Sequence, residues 1–293
     1  MKAIGLDVGF GWTKVCVMEE NTDPSYLKFP SWIAYHSNTP ISELEIVVAD
    51  GKEYVVGYDA KHEQKRIILS DINDLINYYP VIEKYVLTKL KITGDYSIVT
   101  GLPPLYKDLA NKLTRYNVKV IPQGLGIWLD VKDDIKADES MIVDIGFNTV
   151  DYLIVADNIK KKGATITKLG VERLVELFRD TLPQELEYLR QSSFQKLMLV
   201  FEKGYAIFEG EKILLEKYKE KAIEHYNEIV MSRLKNELGG AIEEIEMIVI
   251  AGGGAYYMKN LRKAGVYIPQ NPELSQARGY AKLCLSSIHS WQI

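Results

Sequence analysis

Two cysteines and four histidines in 293 residues leave little for thiol or imidazole chemistry. Cys16 and Cys284 cannot build a disulfide framework; each lies in an apolar context and reads as a reduced, buried thiol. His36, His62, His225 and His289 are scattered without metal-ligand spacing, and HEQKR at His62 is not the HExxH pattern of zinc enzymes. No apolar run reaches bilayer-spanning length, and the opening residues form a strand pattern containing Asp7 rather than a leader. A cytoplasmic protein without a membrane partner is expected. An excess of positive charge is missing too: the formal net charge is −4, so direct nucleic-acid binding is not expected. There is no low-complexity linker and no phosphate loop of the form GxxxxGK followed by Ser or Thr.

What remains is an ordinary globular composition, 47% hydrophobic and 26% charged, long enough for two cores. Strand patterns occur at 2–8, 12–18, 45–49, 53–57, 96–100, 118–121, 141–145, 150–156 and 246–251. Helical patterns occur at about 72–91, 104–115, 170–179, 184–200, 212–238, 256–263 and 273–288, the last with Asn271 as expected cap and Pro272 in its first turn. Mixed strands and long helices give an α/β class. The polar stretch DVKDDIKADES (130–140) marks the boundary between two halves.

The opening stretch DVGFGWTK places Asp7 at the end of an apolar strand, then Gly9 and Gly11 in a turn, then Lys14. Burying a lone carboxylate is costly, which suggests that its partner arrives with a ligand. One such hairpin could simply be braced by its Asp. However, DIGFNTVD restates the pattern 137 positions later, with Asp144 and Gly146 in place of Asp7 and Gly9. Two acidic glycine turns, each opening one half of the chain, suit a nucleoside polyphosphate. Turn N–H groups would bond its phosphates, Lys14 would reach them as a point charge, and Asp7 and Asp144 would hold a hydrated Mg²⁺. IAGGGAYYMKN (250–260) follows a strand but has Tyr257 at the third glycine position, so it is a poor dinucleotide fingerprint.

These motifs resemble those of the ATPase superfamily of actin, heat-shock chaperones and sugar kinases. DVGFGWTK is similar to its first phosphate loop, DIGFNTVD to its second and IAGGGAYY to its adenosine loop. The resemblance is greatest to the plasmid-partitioning ParM (StbA) proteins and the archaeal actin-like proteins. It extends through FPSW (29–32), GLPPLYKD (101–108), IPQGLGIWL (121–129), KLGVERL (168–174) and NPELSQARGYAKL (271–283), in family order.

The resemblance implies duplicated actin-like (ribonuclease H-like) domains with a nucleotide cleft between them. Domain I would span 1–138 with an outer insertion at about 30–90, and domain II 139–280 with an insertion at about 175–240. Residues 281–293 would form a helix packing back on domain I. Asp7 and Asp144 would be the magnesium-side carboxylates, acting through water. Lys14 would contact phosphate, the backbones of Gly9, Phe10 and Gly11 would cradle the β-phosphate, and Gly146, Asn148 and Thr149 would surround the γ-phosphate. Gln123 would orient the attacking water, unless it is a loop residue bonding nearby backbone. Gly252, Gly253 and Gly254 would admit the adenine and ribose, with Tyr256 or Tyr257 stacking on the base or filling a core. Phe147 and Asn148 depart from the small residues usual in the second turn, and Lys217 and Lys221 lie on a helix that reads as a solvated face.

The implied function is a filament-forming ATPase using Mg²⁺ and ATP, or GTP. It would assemble head to tail with itself and segregate plasmid or other DNA through a DNA-binding adaptor. One rival is a small-molecule kinase with Asp151 as base. The other is a non-polymerising nucleotide-binding scaffold, for which the tail SSIHSWQI (286–293), with Trp291 and Ile293, would be a membrane contact.

Overall fold

The computed structural model describes residues 1–37, 44–115, 117–157, 159–258 and 265–290. Trp291 and Ile293 lie outside the described residues, as does the end of the helix expected at 256–263. The chain forms two units, Met1–Lys136 with Pro269–Ile293, and Ala137–Ile268.

In the first unit, β1 (Lys2–Val8), β2 (Trp12–Met18) and β3 (Ser25–Pro30) are antiparallel neighbours. A small sheet follows: β4 (Ile33–Tyr35), β5 (Ile46–Ala49), β6 (Lys52–Val56) and β7 (Arg66–Ile67), in the order β5-β6-β4-β7. α1 (Ile72–Lys89) begins with a capping box in which the Asp71 carboxylate accepts from the amides of Asn73 and Asp74. β8 (Tyr96–Leu102) then runs parallel to β1, and β9 (Val118–Pro122) parallel to β8, giving the order β3-β2-β1-β8-β9. α2 (Leu125–Val131) closes this stretch. Alternation along β1 sends Ile4 and Leu6 into a core shared with Ile76, Tyr79 and Ile82 of α1.

The second unit repeats the sheet. β10 (Glu139–Ile145), β11 (Thr149–Ala156) and β12 (Ile159–Thr167) are antiparallel neighbours. Next come α3 (Val171–Thr181), α4 (Glu187–Arg190), α5 (Phe194–Lys203), the hairpin β13 (Tyr205–Phe208) and β14 (Glu211–Leu214), and α6 (Glu216–Leu238). β15 (Met247–Ala251) lies parallel to β10, and β16 (Val266–Tyr267) parallel to β15. The order β12-β11-β10-β15-β16 matches the first sheet strand for strand and direction for direction. The repeat of one motif in the sequence is a repeat of a whole topology.

α7 (Ser275–Ser290) packs on β1, β2, β8 and α2, and so lies in the first unit. Residues 269–280, which the sequence reading left with the second half, therefore belong to the first. Two features hold the helix there. A Cβ on Gly279 would stand 1.7 Å from the Gly126 carbonyl oxygen, so α7 meets α2 backbone to backbone. In addition, the buried Asp130 carboxylate accepts from Ser275 Oγ at 2.7 Å and from Arg278 Nη2 at 2.7 Å, with Lys282 Nζ at 3.0 Å. Cys16 is buried beneath Ala277 and Ala281, and burial pushes its thiol up to about 12, which leaves it inert at neutral pH.

Several local expectations need correction. Asn271 does not cap: it is left-handed at φ 47°, and its carbonyl, not its side chain, accepts from the Leu274 amide. The helix expected at 104–115 is a 3₁₀ segment, Pro104–Lys112. That expected at 184–200 is broken into a 3₁₀ turn, α4 and α5, and that expected from 212 begins at Glu216 after a hairpin strand.

Candidate functional site

In the first unit the candidate turn closes through the Gly9 amide, which donates to the Trp12 carbonyl at 3.1 Å. The Gly11 carbonyl accepts from the Ser31 amide at 3.1 Å, so the FPSW segment buttresses the turn. Asp7, 6% exposed, is the Cα partner of Lys14 across the hairpin, and Lys14 Nζ stands 2.9 Å from Asp7 Oδ2. This corrects the sequence reading: the counter-charge of Asp7 comes from its own hairpin, not from a ligand. The Phe10 ring packs against the α1-side core.

In the second unit the turn closes in the same way, Gly146 amide to Thr149 carbonyl at 3.0 Å. Phe147 does not disturb it, because its ring leaves the turn to meet Phe194 of α5 edge-on, with centroids 6.0 Å apart. The carbonyls of Gly146 and Phe147 accept from the amides of Val171 and Glu172, at 3.0 and 2.9 Å. The turn thus supplies the acceptors for the start of α3, where the N-cap Gly170 has no side chain to offer. Asp144 is half-buried opposite Asp151. Asp151, 5% exposed, accepts hydroxyls from Thr149, at 2.9 Å, and from Thr165.

Both tips share a further property. The amides of Phe10 and Gly11, and of Phe147 and Asn148, have no hydrogen-bond partner among the described residues. Asn148 Oδ1 is buried and likewise unpartnered among them. Each unit therefore offers a closed turn whose tip N–H groups have no partner among the described residues, beside a carboxylate, an arrangement suited to binding an anion.

The glycines of the third loop divide. Gly252 has φ +81°, and a Cβ there would stand 2.3 Å from Asp144 Oδ1, so this residue lets β15 end directly against the candidate carboxylate. Gly254 packs against Ile145 in the same manner. Gly253 is exposed and a Cβ would meet nothing within 4 Å. Tyr257 sits in the helical core, its ring 5.4 Å from that of Phe201 and its carbonyl accepting from Asn227 Nδ2. The aromatic left accessible is Tyr256, 46% exposed. Lys217 and Lys221 are exposed on α6, with Lys217 Nζ 4.7 Å from the Tyr218 ring centroid.

Gln123 follows β9. Its amide donates to the Leu102 carbonyl at 2.8 Å, while its side-chain amide has no hydrogen bond among the described residues. The alternative of a side chain spent on local backbone is not what the structure shows. Gln276, Thr165 and the α3 contact at Gly170 were missed at the sequence level. Gln276 and Gly170 lie inside motifs that carried the family resemblance, and Thr165 lies in a lysine-rich strand with no distinguishing signal.

Two sheets of one strand order, each carrying the same closed hairpin turn, define an actin-like fold. The chain belongs to the actin-like proteins: residues 5–116 match the N-terminal domain family of actin-like proteins, and residues 142–263 the C-terminal family of the archaeal MreB-like actin homologue. No curated protein matches the sequence. Among solved structures, the ParM of a 15-stranded filament from Clostridium botulinum superposes with a TM-score of 0.76 at 21% identity, covering 97% of this chain and 99% of that one. The archaeal actin homolog Ta0583 gives 0.79 at 17% identity over 98% and 100%. Bacillus thuringiensis ParM with ATP gives 0.69 at 15% identity over 99% of each chain. Among the described residues no helix is long and apolar enough to cross a membrane.

Proposed function

We propose that this chain is a filament-forming, magnesium-dependent ATPase whose hairpin turns bind nucleotide phosphate. The observation that carries the reading is the duplicated turn: Gly9–Trp12 and Gly146–Thr149 close in the same way, and the paired amides on each tip have no hydrogen-bond partner among the described residues. Amides of Phe10, Gly11, Phe147 and Asn148 bind phosphate oxygens, and Lys14 adds a point charge. Gly253 and Tyr256, both exposed on the third loop, would take up the purine side of the ligand. Gln123, whose side-chain amide has no hydrogen bond among the described residues, orients the attacking water; as a neutral group it positions rather than deprotonates.

The donor set fits magnesium. Among the described residues no cluster of three or more His, Cys, Asp or Glu could hold a metal by itself. Magnesium bound through one or two carboxylates, waters and phosphates needs no such cluster. Asp144 is the half-exposed carboxylate suited to that role, with Asp7 beside Lys14 in the other turn. The ion would neutralise phosphate charge during transfer.

Self-assembly is head to tail, the heterologous arrangement that yields filaments rather than closed rings. Two structural neighbours, a ParM filament and a ParM with ATP, support this reading. DNA segregation through a DNA-binding adaptor, in the cytoplasm, is the cellular role we attach to it. A kinase is disfavoured by Asp151, whose two oxygens are occupied by threonine hydroxyls and whose side chain is buried.

The test is light scattering over a protein concentration series with MgATP, MgADP, MgGTP or no nucleotide. A rise above a threshold concentration only with nucleoside triphosphate is expected. A flat signal with ATP bound would sink the filament reading in favour of a kinase or scaffold.

A further inference from the structure

Three of the motifs that run in family order, GLPP, IPQGLGIW and NPELSQARGYAKL, carry no part of the nucleotide reading apart from Gln123. In the structure they meet. α2 starts at Leu125 with Gly124 as N-cap, a residue with φ 84° and no side chain to satisfy the first amides. The missing cap is supplied from α7: Gln276 Oε1 accepts from the Gly124 amide at 3.2 Å and from the Ile127 amide at 3.1 Å. Gln276 is 3% exposed, and its Nε2 donates to the Tyr280 hydroxyl at 2.8 Å. That hydroxyl lies against Gly101 of GLPP, where a Cβ would stand only 1.8 Å away. Gln123 is the residue immediately before this remote cap, held on its other side by its bond to Leu102.

We propose that Gln276 is a positioning residue for Gln123. By fixing Gly124 and the first turn of α2, it sets the backbone from which the Gln123 amide projects. The ladder Tyr280–Gln276–Gly124 ties that loop to α7, whose own seat is fixed by Asp130 and Arg278. The inference rests on the reading of Gln123 as the residue that orients the attacking water.

The experiment is steady-state MgATP hydrolysis by the full chain, with nucleotide affinity measured alongside. Gln276→Met keeps length and volume but removes the accepting oxygen. It is expected to lower kcat by roughly tenfold or more, with nucleotide Kd unchanged. Gln276→Glu keeps an oxygen facing both amides, so this variant is expected to restore most of the rate. In a Gln123→Ala background, Gln276→Met is expected to change the residual rate by less than about twofold, because the two act through one group. Tyr280→Phe, which keeps the ring in its packing, gives a smaller loss of kcat that also vanishes in that background, and it serves if Gln276→Met does not fold. Multiplicative losses, or a parallel rise in Kd, would overturn the inference while leaving the ATPase reading intact. A wild-type chain with no turnover would overturn both.

Discussion

Lys14 Nζ stands 2.9 Å from Asp7 Oδ2, and the two residues are Cα partners across the β1–β2 hairpin. Their side chains are only 18% and 8% exposed, so the pair is largely desolvated. Removing one partner of a buried pair costs more than the pair contributes, because the survivor remains charged and unanswered. Lys14→Met is therefore expected to destabilise the free protein by about 3 kcal/mol, read from urea unfolding. Adding Asp7→Asn should recover a large part of that loss. If the single variant is as stable as wild type, Asp7 is not held by Lys14.

The third loop separates packing from ligand contact. Gly252→Ala places a methyl 2.3 Å from Asp144 Oδ1 at a φ of +81°, and is expected to cost about 1–3 kcal/mol of stability along with nucleotide affinity. Gly253→Ala meets nothing within 4 Å, so its unfolding free energy should stay within about 0.5 kcal/mol of wild type. A fall in nucleotide affinity in Gly253→Ala alone would then report direct approach of the ligand. Unchanged affinity would remove this loop from the site.

α7 is seated by Asp130, which is 6% exposed and answered by Ser275, Arg278 and Lys282. Arg278→Met leaves that carboxylate with one partly exposed lysine and one hydroxyl. The expected loss is about 3 kcal/mol, with faster amide exchange across 275–290 detected by mass spectrometry. Uniform exchange across the chain would contradict a local anchor.

The duplicated turns were legible because they combine two signals that ordinary strands lack: an acid near the end of an apolar run, and glycine two positions after it. The edge strand β12 was not legible. β12 begins with Ile159 and three lysines, the charged composition that protects an exposed edge and hides the alternation of a strand. α2 was missed because Gly124 and Gly126 read as loop, whereas Gly126 is there to let α7 approach. The cap of α2 lies 152 residues away from Gly124 in sequence, beyond any local pattern. The counter-charge of Asp7 could have been found from hairpin register alone, since a turn of this length sets Lys14 directly across from it.

Glu63, 4% exposed, gives the first unit a pH dependence. Burial alone would raise its pKa, but hydrogen bonds from the Ser37 hydroxyl, from His36 and from the Ser37 amide outweigh burial and hold it below the ordinary 4.5. A carboxylate depressed in the folded state contributes stability that is present above its unfolded pKa and fades as pH falls through the folded value. Glu63→Gln should therefore be less stable than wild type near neutrality, with a gap that narrows below about pH 4. Urea midpoints across that range measure it, and a constant gap would exclude the carboxylate as its source.

The two halves differ at one position that bears on the cation. Where the first hairpin sets Lys14 opposite Asp7, the second sets Asp151 opposite Asp144. A phosphate at the second turn would therefore meet two carboxylates, with threonine hydroxyls on Asp151 and no lysine in the hairpin pair. Polyphosphate bound there without a cation would meet like charge at close range, a repulsion that low local dielectric strengthens. Nucleotide affinity is expected to fall on chelation of divalent ions by at least about tenfold. Asp144→Asn removes one of those charges and one hard-oxygen ligand together. It should bind ATP with a weaker dependence on Mg²⁺ and lose roughly 10²-fold in turnover, measured by fluorescence titration and phosphate release. An affinity that ignores chelation in wild type, or a chelation effect undiminished in the variant, would place the cation away from Asp144.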